Sequence, residues 1–144
     1  LENFLIKGFK LKNGKIISHG QVYICDWGLG EYFGKNSDFN CDKFAGKIKY
    51  ECPEVISNTP YDGRLSDSWS LGICLFMIQF GVEPISIANK TDINYINIIT
   101  GNLKNVIIHN HKINYVHNKH IISVLNLMLS KQKNRIHISK LLQH

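Results

Sequence analysis

The sequence predicts an α+β fold in which helices dominate, and three observations support this class. Short runs rich in β-branched and aromatic residues occupy the first 25 residues, a stretch rich in Gly, Asn, Asp and Lys follows, and helical patterns begin after Pro53. Strand-like segments followed by helical segments are typical of an α+β domain. The chain has 144 residues, 44% hydrophobic and 19% charged, which is one globular domain without the composition of a disordered chain.

The strands are predicted from local composition. Three short runs are β-branched or aromatic: residues 4–6, 15–17 and 21–25. Asn13-Gly14 and His19-Gly20 between these runs are interpreted as turns. Asn-Gly is the stronger turn signal, because both central residues of a tight hairpin turn must accept positive φ. Residues 29–48 are predicted to form an extended surface loop, and loops of this length are usually functional or disordered.

The central helix is predicted from its apolar content. Ser66 and Asp67 are residue types that cap helix N-termini, and residues 68–80 after them are apolar nearly all round. A helix that is apolar on every side is expected to be buried on every side. Residues 68–80 are therefore predicted to form the centre of the core.

Three further helices are predicted along the chain. Asp92 begins one that runs to about Ile99, and Gly101 is a plausible glycine just beyond its end. Apolar residues recur at helical spacing in 118–130, which predicts an amphipathic helix. Residues 138–142 are predicted as a last short helix.

Charge, hydropathy and cysteine spacing exclude several classes of protein. The net charge of +6 would suit a nucleic-acid partner, but Lys and Arg form no run of five, so no specific nucleic-acid binding is expected. The longest apolar run, residues 71–80, is far short of the roughly 20 residues of a membrane span. The four cysteines lack paired CxxC spacing, which argues against zinc and favours reduced thiols in the cytoplasm, with the nucleus as an alternative. The first residue is Leu1 without a signal-peptide pattern, so we expect a piece of a longer protein.

Three motifs occur in a fixed order along the chain: Asp26-Trp27-Gly28, Cys52-Pro53-Glu54 and Asp67-x-Trp69-Ser70-x-Gly72. Together they resemble the second half of a eukaryotic protein kinase domain of the serine/threonine type. In that family Asp-Phe-Gly and Ala-Pro-Glu bracket the activation segment. The resemblance covers nearly the whole chain. It implies a kinase-like large lobe with a short β-hairpin, an activation segment and helices, and a partial kinase domain over residues 1–144.

The resemblance also assigns the nucleotide-binding residues. The first residues resemble the end of the kinase catalytic loop, so Asn3 and Asp26 would hold Mg²⁺ and Leu5 would lie under the adenine of ATP. Carboxylate and amide oxygens suit magnesium. A plain core leucine is the alternative for Leu5. A hairpin from Phe4 to Cys25 would bring Asn3 and Asp26 together, with a longer connector than the family usually carries.

The same alignment places the catalytic aspartate five residues before Asn3, outside these 144 residues. We therefore expect the full-length parent to transfer the γ-phosphate of ATP to serine or threonine of a protein substrate, and this chain alone to be inactive. The alternatives are a pseudokinase or truncated scaffold that binds without catalysis, and an unrelated basic binding domain. An aspartate at that upstream position would favour catalysis.

Structural roles follow from the matched motifs. Trp27 replaces the usual phenylalanine, with core packing as its alternative role, and Gly28 permits the turn. Glu54 would pair with Arg135 and tie the activation segment to the C-terminal helices. The remaining structural residues are Asp67, Trp69 and Gly72: Asp67 would accept hydrogen bonds from the catalytic loop or cap the helix, and the other two would pack closely.

The segment between the first two motifs carries the substrate-positioning residues. Lys47 stands where most serine/threonine kinases have threonine, so its cation could favour an acidic substrate. Tyr50, two residues before Cys52, is closer to the serine/threonine pattern than to the tyrosine kinase pattern. Ser37, at the expected loop tip, is a candidate phosphorylation site, because an added phosphate could order the loop.

Overall fold

The structure is a computed structural model that describes residues 1–32, 40–41, 46–110 and 119–141. The chain divides into two compact units, Leu1–Tyr32 and Phe33–His144. The predicted single partial domain over residues 1–144 stays a prediction. In the part of the chain that the structure describes, no helix is both long and apolar enough to cross a membrane.

The first unit consists of two antiparallel ribbons. Its strands are β1 Phe4–Lys7, β2 Lys10–Lys12, β3 Lys15–Ser18 and β4 Gln21–Ile24. β1 pairs with β4 and β2 pairs with β3, so the β2–β3 hairpin is inserted between the two strands of the outer ribbon. The predicted Asn-Gly turn is confirmed, because Asn13 and Gly14 both have positive φ, 51° and 73°.

Strand β2 was not predicted, because its three residues alternate lysine and leucine and lack β-branched side chains. The supposed connector between β1 and β4 is therefore itself a hairpin. Gly20 lies where this hairpin returns to the outer ribbon, and an added Cβ there would lie 2.6 Å from Ile6 Cγ2 and 2.9 Å from the Lys7 carbonyl oxygen. Only glycine allows this close approach of the two chain segments.

The second unit is mainly helical. Its elements are β5 Asn40–Cys41, α1 Pro53–Ile56, β6 Tyr61–Asp62, α2 Gly63–Phe80, α3 Ile93–Ile99, α4 Leu103–Asn110, α5 Lys119–Met128 and α6 Ile138–Leu141. β5 pairs antiparallel with β6. The predicted loop over residues 29–48 is thus interrupted by a short strand, and its residues 33–39 and 42–45 lie outside the described residues.

Helix α2 begins five residues earlier than predicted. The Asp62 carboxylate accepts a hydrogen bond from the Arg64 backbone N–H at 2.9 Å and caps the helix, so the prediction of a cap at Ser66 or Asp67 was wrong. The helix ends at Phe80, and Gly81 follows with φ of 76°. The prediction that this helix is buried on every side was also wrong, because Ile78 is 69% exposed.

The later helices agree more closely with the prediction. The Asp92 carboxylate accepts hydrogen bonds from the backbone N–H groups of Asn94 and Tyr95 at 2.8 and 3.1 Å and caps α3, and Gly101 has φ of 81° just beyond its end. The amphipathic α5 and the short α6 are confirmed. Helix α4 was not predicted. Its residues Leu103, Val106 and Ile107 are buried.

The core of the second unit forms around α2. Trp69, Ile73 and Phe76 of this helix are almost completely buried. They belong to one apolar cluster with residues from α3, α4 and α5, among them Ile98, Leu103, Val106, Ile107 and Leu125. Helix α2 packs against α5 in this cluster. The core of the unit is therefore formed by side chains of its helices.

Candidate functional site

The residues predicted to bind the nucleotide lie in the first unit, at the open end of the β1–β4 ribbon. The Cys25 backbone N–H donates to the Asn3 carbonyl oxygen at 3.0 Å, which extends the pairing one step beyond Phe4 and Ile24. Asp26 follows Cys25 directly. The ribbon therefore places Asn3 and Asp26 at the same end, as the predicted hairpin requires, through main-chain pairing.

Asp26 adopts a left-handed backbone conformation, with φ of 64° and ψ of 65°. This conformation is uncommon outside glycine, but the short polar side chain of Asp tolerates it. It ends β4 and turns the chain into the single 3-10 turn Trp27–Leu29. We expected Gly28 to make the turn permissive, but the positive φ lies at Asp26, and an added Cβ at Gly28 would meet only Asp26 Oδ1, at an ordinary 3.6 Å.

Leu5 and Trp27 are both exposed, at 54% and 69%. The alternative interpretation of each as a core residue is therefore wrong, because neither side chain is buried in the described part of the chain. Their roles beside a nucleotide stay predictions.

The possible metal ligands of this end are oxygen donors. Asn3 and Asp26 offer one amide and one carboxylate, both on exposed residues. Mg²⁺ is commonly bound by one or two carboxylates together with substrate phosphates and water, so this donor set fits it. In the described residues no group of three or more His, Cys, Asp and Glu side chains is placed to hold a metal ion.

The substrate-positioning residues lie in the second unit, ahead of α1. Lys47 is exposed and immediately precedes the 3-10 turn Ile48–Tyr50. The Ser70 hydroxyl of α2 donates to the Tyr50 carbonyl oxygen at 2.8 Å, which ties the end of this turn to the central helix. The Lys49 ammonium forms an ion pair with Glu83 at 2.6 Å. The turn is thus attached to the rest of this unit through Lys49 and through Tyr50.

Glu51 was missed by sequence reasoning. It is only 7% exposed, and desolvation by burial raises the pKa of its carboxyl from the usual 4.5 to about 7. Its Oε1 atom occupies the space that a Cβ on Gly46 would need. Gly46 has φ of 126°, a conformation that side-chain-bearing residues rarely adopt, so the backbone at this position favours glycine. A lone glutamate between two motif residues carries no sequence signal of burial.

The Glu54 carboxylate accepts two hydrogen bonds from Arg135 Nη2, at 2.9 and 3.2 Å. The other guanidinium nitrogens donate to the carbonyl oxygens of Leu65 and Ser130, at 3.2 and 3.0 Å, and Arg135 Cζ lies 5.0 Å from the Trp69 ring centroid. The Arg135 side chain is completely buried. The structure therefore joins the pair that the resemblance assigned, across 81 positions of sequence, with further partners that the sequence did not reveal.

Helix α2 contains three residues with predicted structural roles, and they differ in burial and contacts. Gly72 packs against α5, because an added Cβ would lie 2.9 Å from Leu129 Cδ2 and 3.0 Å from Met128 Cβ. Trp69 is fully buried, and its Nε1 has no hydrogen-bond partner in the described part of the chain. Asp67 lies in the second turn at an exposed position, and partial desolvation raises the pKa of its carboxyl. The role of Asp67 beside a catalytic loop stays a prediction.

Comparison with known proteins identifies the family. Residues 2–144 match the model of the protein kinase domain. The chain belongs to the protein kinase family. Its predicted fold class, a mainly helical α+β kinase-like lobe, is confirmed. Members of this family use ATP and Mg²⁺ and act on protein substrates.

Similar proteins are named as kinases, and one of them is a serine/threonine-protein kinase. The kinase chain is 32% identical over 86 residues to ribosomal protein S6 kinase alpha-4 of Homo sapiens, covering 60% of this chain and 11% of that protein. It is 37% identical over 78 residues to serine/threonine-protein kinase PSK1 of Saccharomyces cerevisiae, covering 54% and 6%. It is 27% identical over 129 residues to sperm motility kinase Z of Mus musculus, covering 90% and 24%. The kinase chain thus spans less than a quarter of the length of these relatives.

Ser37, the candidate phosphorylation site of the kinase chain, lies outside the described residues. Its modification stays a prediction.

Proposed function

We propose that a protein containing this kinase chain transfers the γ-phosphate of ATP to serine or threonine of a protein substrate, and that the chain supplies the metal-binding and substrate-positioning parts. The observation that carries the proposal is the backbone pairing of Asn3 with Cys25, which puts Asn3 and Asp26 at one end of a ribbon. Phosphoryl transfer depends almost entirely on positioning and charge stabilisation. An acidic residue and an amide residue at one end of the ribbon are the parts that this chain would contribute.

Asn3 and Asp26 are proposed to hold magnesium beside the nucleotide, with Leu5 near the adenine. When bound, Mg²⁺ neutralises charge on the β- and γ-phosphates. Pairing of the two strands fixes the separation of the Asn3 and Asp26 backbones, and the left-handed conformation of Asp26 sets the direction of its carboxylate. The side chains of this end therefore act by binding and orientation, without moving a proton.

Substrate positioning is proposed for Lys47 and Tyr50. The hydrogen bond from Ser70 to the Tyr50 carbonyl oxygen and the Glu54–Arg135 pair hold the segment on either side of Cys52 against helical elements. Lys47 is exposed next to this fixed segment, and a cation at this position would suit a peptide that carries acidic residues. Trp27 and Gly28 would set how the chain leaves the metal-binding end.

The sharpest test uses the longer protein that contains this chain, with Mg²⁺-ATP and a serine peptide. Asp26→Asn keeps the side-chain shape and removes the anionic ligand, so phosphate transfer should fall at least about a hundredfold. Glu31→Gln removes the same charge five positions away and serves as the matched control. Equal activity of the wild type and Asp26→Asn would reject the metal-binding role.

A scaffold or pseudokinase is the alternative outcome. If the residue five positions before Asn3 is not aspartate and the longer protein transfers no phosphate, a binding role replaces catalysis. For the 144 residues alone, we expect no transfer above background in the same assay. Transfer by this chain at the rate of the longer protein would contradict the assignment of the catalytic base to a position before Leu1. We also propose a cytoplasmic location, with the nucleus as an alternative, from cysteine usage.

A further inference from the structure

The inserted hairpin β2–β3 of the first unit has an unusual charge balance. From Asn3 to Cys25 the sequence contains four lysines and no aspartate or glutamate. Three of the lysines, Lys10, Lys12 and Lys15, are exposed on the two strands of this hairpin. The local excess of positive charge therefore has no acidic neighbour along the sequence to balance it.

Strand pairing sorts the side chains of the hairpin into two faces. Lys12 lies directly opposite Lys15, and Leu11 directly opposite Ile16. Opposed residues share a face and neighbours along a strand alternate, so Lys10, Lys12 and Lys15 form one face and Leu11 with Ile16 the other. Two like charges directly opposite each other destabilise a ribbon unless an anion lies near them.

The second face is apolar and equally open. Leu11, Ile16 and Ile17 are each more than half exposed, and Phe9 beside the hairpin is half exposed. Ile17 is the extra residue of an irregularity in β3, since Leu11 pairs with Ile16 and Lys10 with Ser18. An amphipathic ribbon with this composition can place aliphatic side chains in the acyl boundary of a bilayer while its lysines reach the headgroups.

We propose that the β2–β3 hairpin is a peripheral docking surface for an anionic lipid membrane. Charge complementarity supports this occupant, because anionic headgroups would neutralise Lys12 and Lys15 together. The aliphatic face distinguishes a membrane from a nucleic acid or an acidic protein region, since phosphates and carboxylates gain nothing from exposed Leu11 and Ile16. The proposal is independent of phosphate transfer and requires no membrane span.

The test is sedimentation of the 144-residue chain with phosphatidylcholine vesicles, with and without about one-third phosphatidylserine. Binding is expected only with phosphatidylserine and should weaken as salt rises. The triple variant Lys10→Glu, Lys12→Glu, Lys15→Glu should lose at least about tenfold in affinity. The matched control changes three exposed lysines of the second unit, Lys131→Glu, Lys133→Glu and Lys140→Glu, and should lose far less.

A second variant tests the apolar face without altering charge. Leu11→Ser with Ile16→Ser should also lose about tenfold in vesicle affinity, and far-ultraviolet circular dichroism should match the wild type because both side chains are exposed. Equal binding to neutral and anionic vesicles, or no loss in the lysine variant, would overturn the proposal. Salt-sensitive vesicle binding that survives the Leu11 and Ile16 changes would also overturn it, because the lysines alone would then account for the binding.

Discussion

At the scale of single residues, two glutamates near α1 differ in what surrounds their carboxyl groups. The Glu54 carboxylate is paired with a fully buried arginine, whereas the Glu51 carboxyl is desolvated by burial on a residue that is only 7% exposed. Desolvation of a carboxyl favours its neutral form, which is why the pKa of Glu51 rises to about 7. The two glutamates, three positions apart, should therefore respond differently to substitution.

Substitution of Glu51 should reveal the cost of its ionisation. The folded protein holds the Glu51 proton more tightly than the unfolded chain does, so the unfolding free energy should fall as pH rises from about 4.5 to about 7 and level off above. Glu51→Gln keeps the shape without the charge and should be more stable than the wild type by about 1–3 kcal/mol at pH 8. Near pH 4.5 the difference should be small. Urea unfolding at both pH values measures it.

Glu83→Gln is the control for this experiment, because Glu83 is about half exposed and its pair with Lys49 lies at the surface. It should change the unfolding free energy little at either pH. If Glu51→Gln is no more stable than the wild type at pH 8, the carboxyl is not ionising in a buried site.

The two arginines of the sequence form a natural comparison. Arg135→Ala leaves the Glu54 carboxylate without its buried partner and should cost about 3–5 kcal/mol of unfolding free energy. Arg64→Ala breaks an exposed pair with Asp62 at 2.8 Å and should cost much less. Thermal or urea unfolding of both variants measures the contrast. Similar losses in the two variants would show that burial does not set the strength of the Glu54–Arg135 pair.

At the scale of elements, caps and close contacts decide where helices begin and how they pack. Asp62 and Asp92 each cap a helix through backbone N–H groups. Asp92 was recognised from sequence and Asp62 was not, because Ser66 and Asp67 are equally good capping types and lie nearer the apolar run. Composition can thus identify a helix while misplacing its start by a turn.

The α2–α5 contact depends on Gly72. Replacing it with alanine would place Cβ within about 3 Å of Met128 and Leu129, so we expect a loss of about 1–3 kcal/mol despite the better helix propensity of alanine. Leu129→Ala removes the nearest atoms. In a double-mutant cycle measured by urea unfolding, Gly72→Ala should therefore cost less in the Leu129→Ala background than in the wild type. Additive losses would mean that Leu129 is not what excludes the alanine.

At the scale of the whole molecule, the two units differ in how much apolar surface each buries. The helical unit has one apolar cluster built around α2. The first unit exposes most of its large apolar side chains, including Leu5, Val22 and Ile24. Isolated two-stranded ribbons are marginally stable in water, because they lack a buried face. The units should therefore open at different free energies.

Hydrogen exchange of the 144-residue chain tests this difference. Amides in the middle of α2, around Ile73, should be the most protected, whereas amides of β1 to β4 should exchange much faster, by at least about tenfold. The comparison is internal, since both units are in one sample. Equal protection in β4 and in α2 would contradict the expectation that the ribbons lack a stabilising face.

The sequence by itself determined the family, the position of the first strands ahead of the main helices, and the pairing partners Glu54 and Arg135, because these depend on motifs and on periodicity that survive without coordinates. It also located the Asn13-Gly14 turn, since few other residue pairs accept positive φ. Only the tertiary structure decided that the connector carries strand β2, that Leu5 and Trp27 are exposed, and that Glu51 is buried. Burial and the partners of a charge depend on what the rest of the chain brings near, and composition within a few residues cannot encode that.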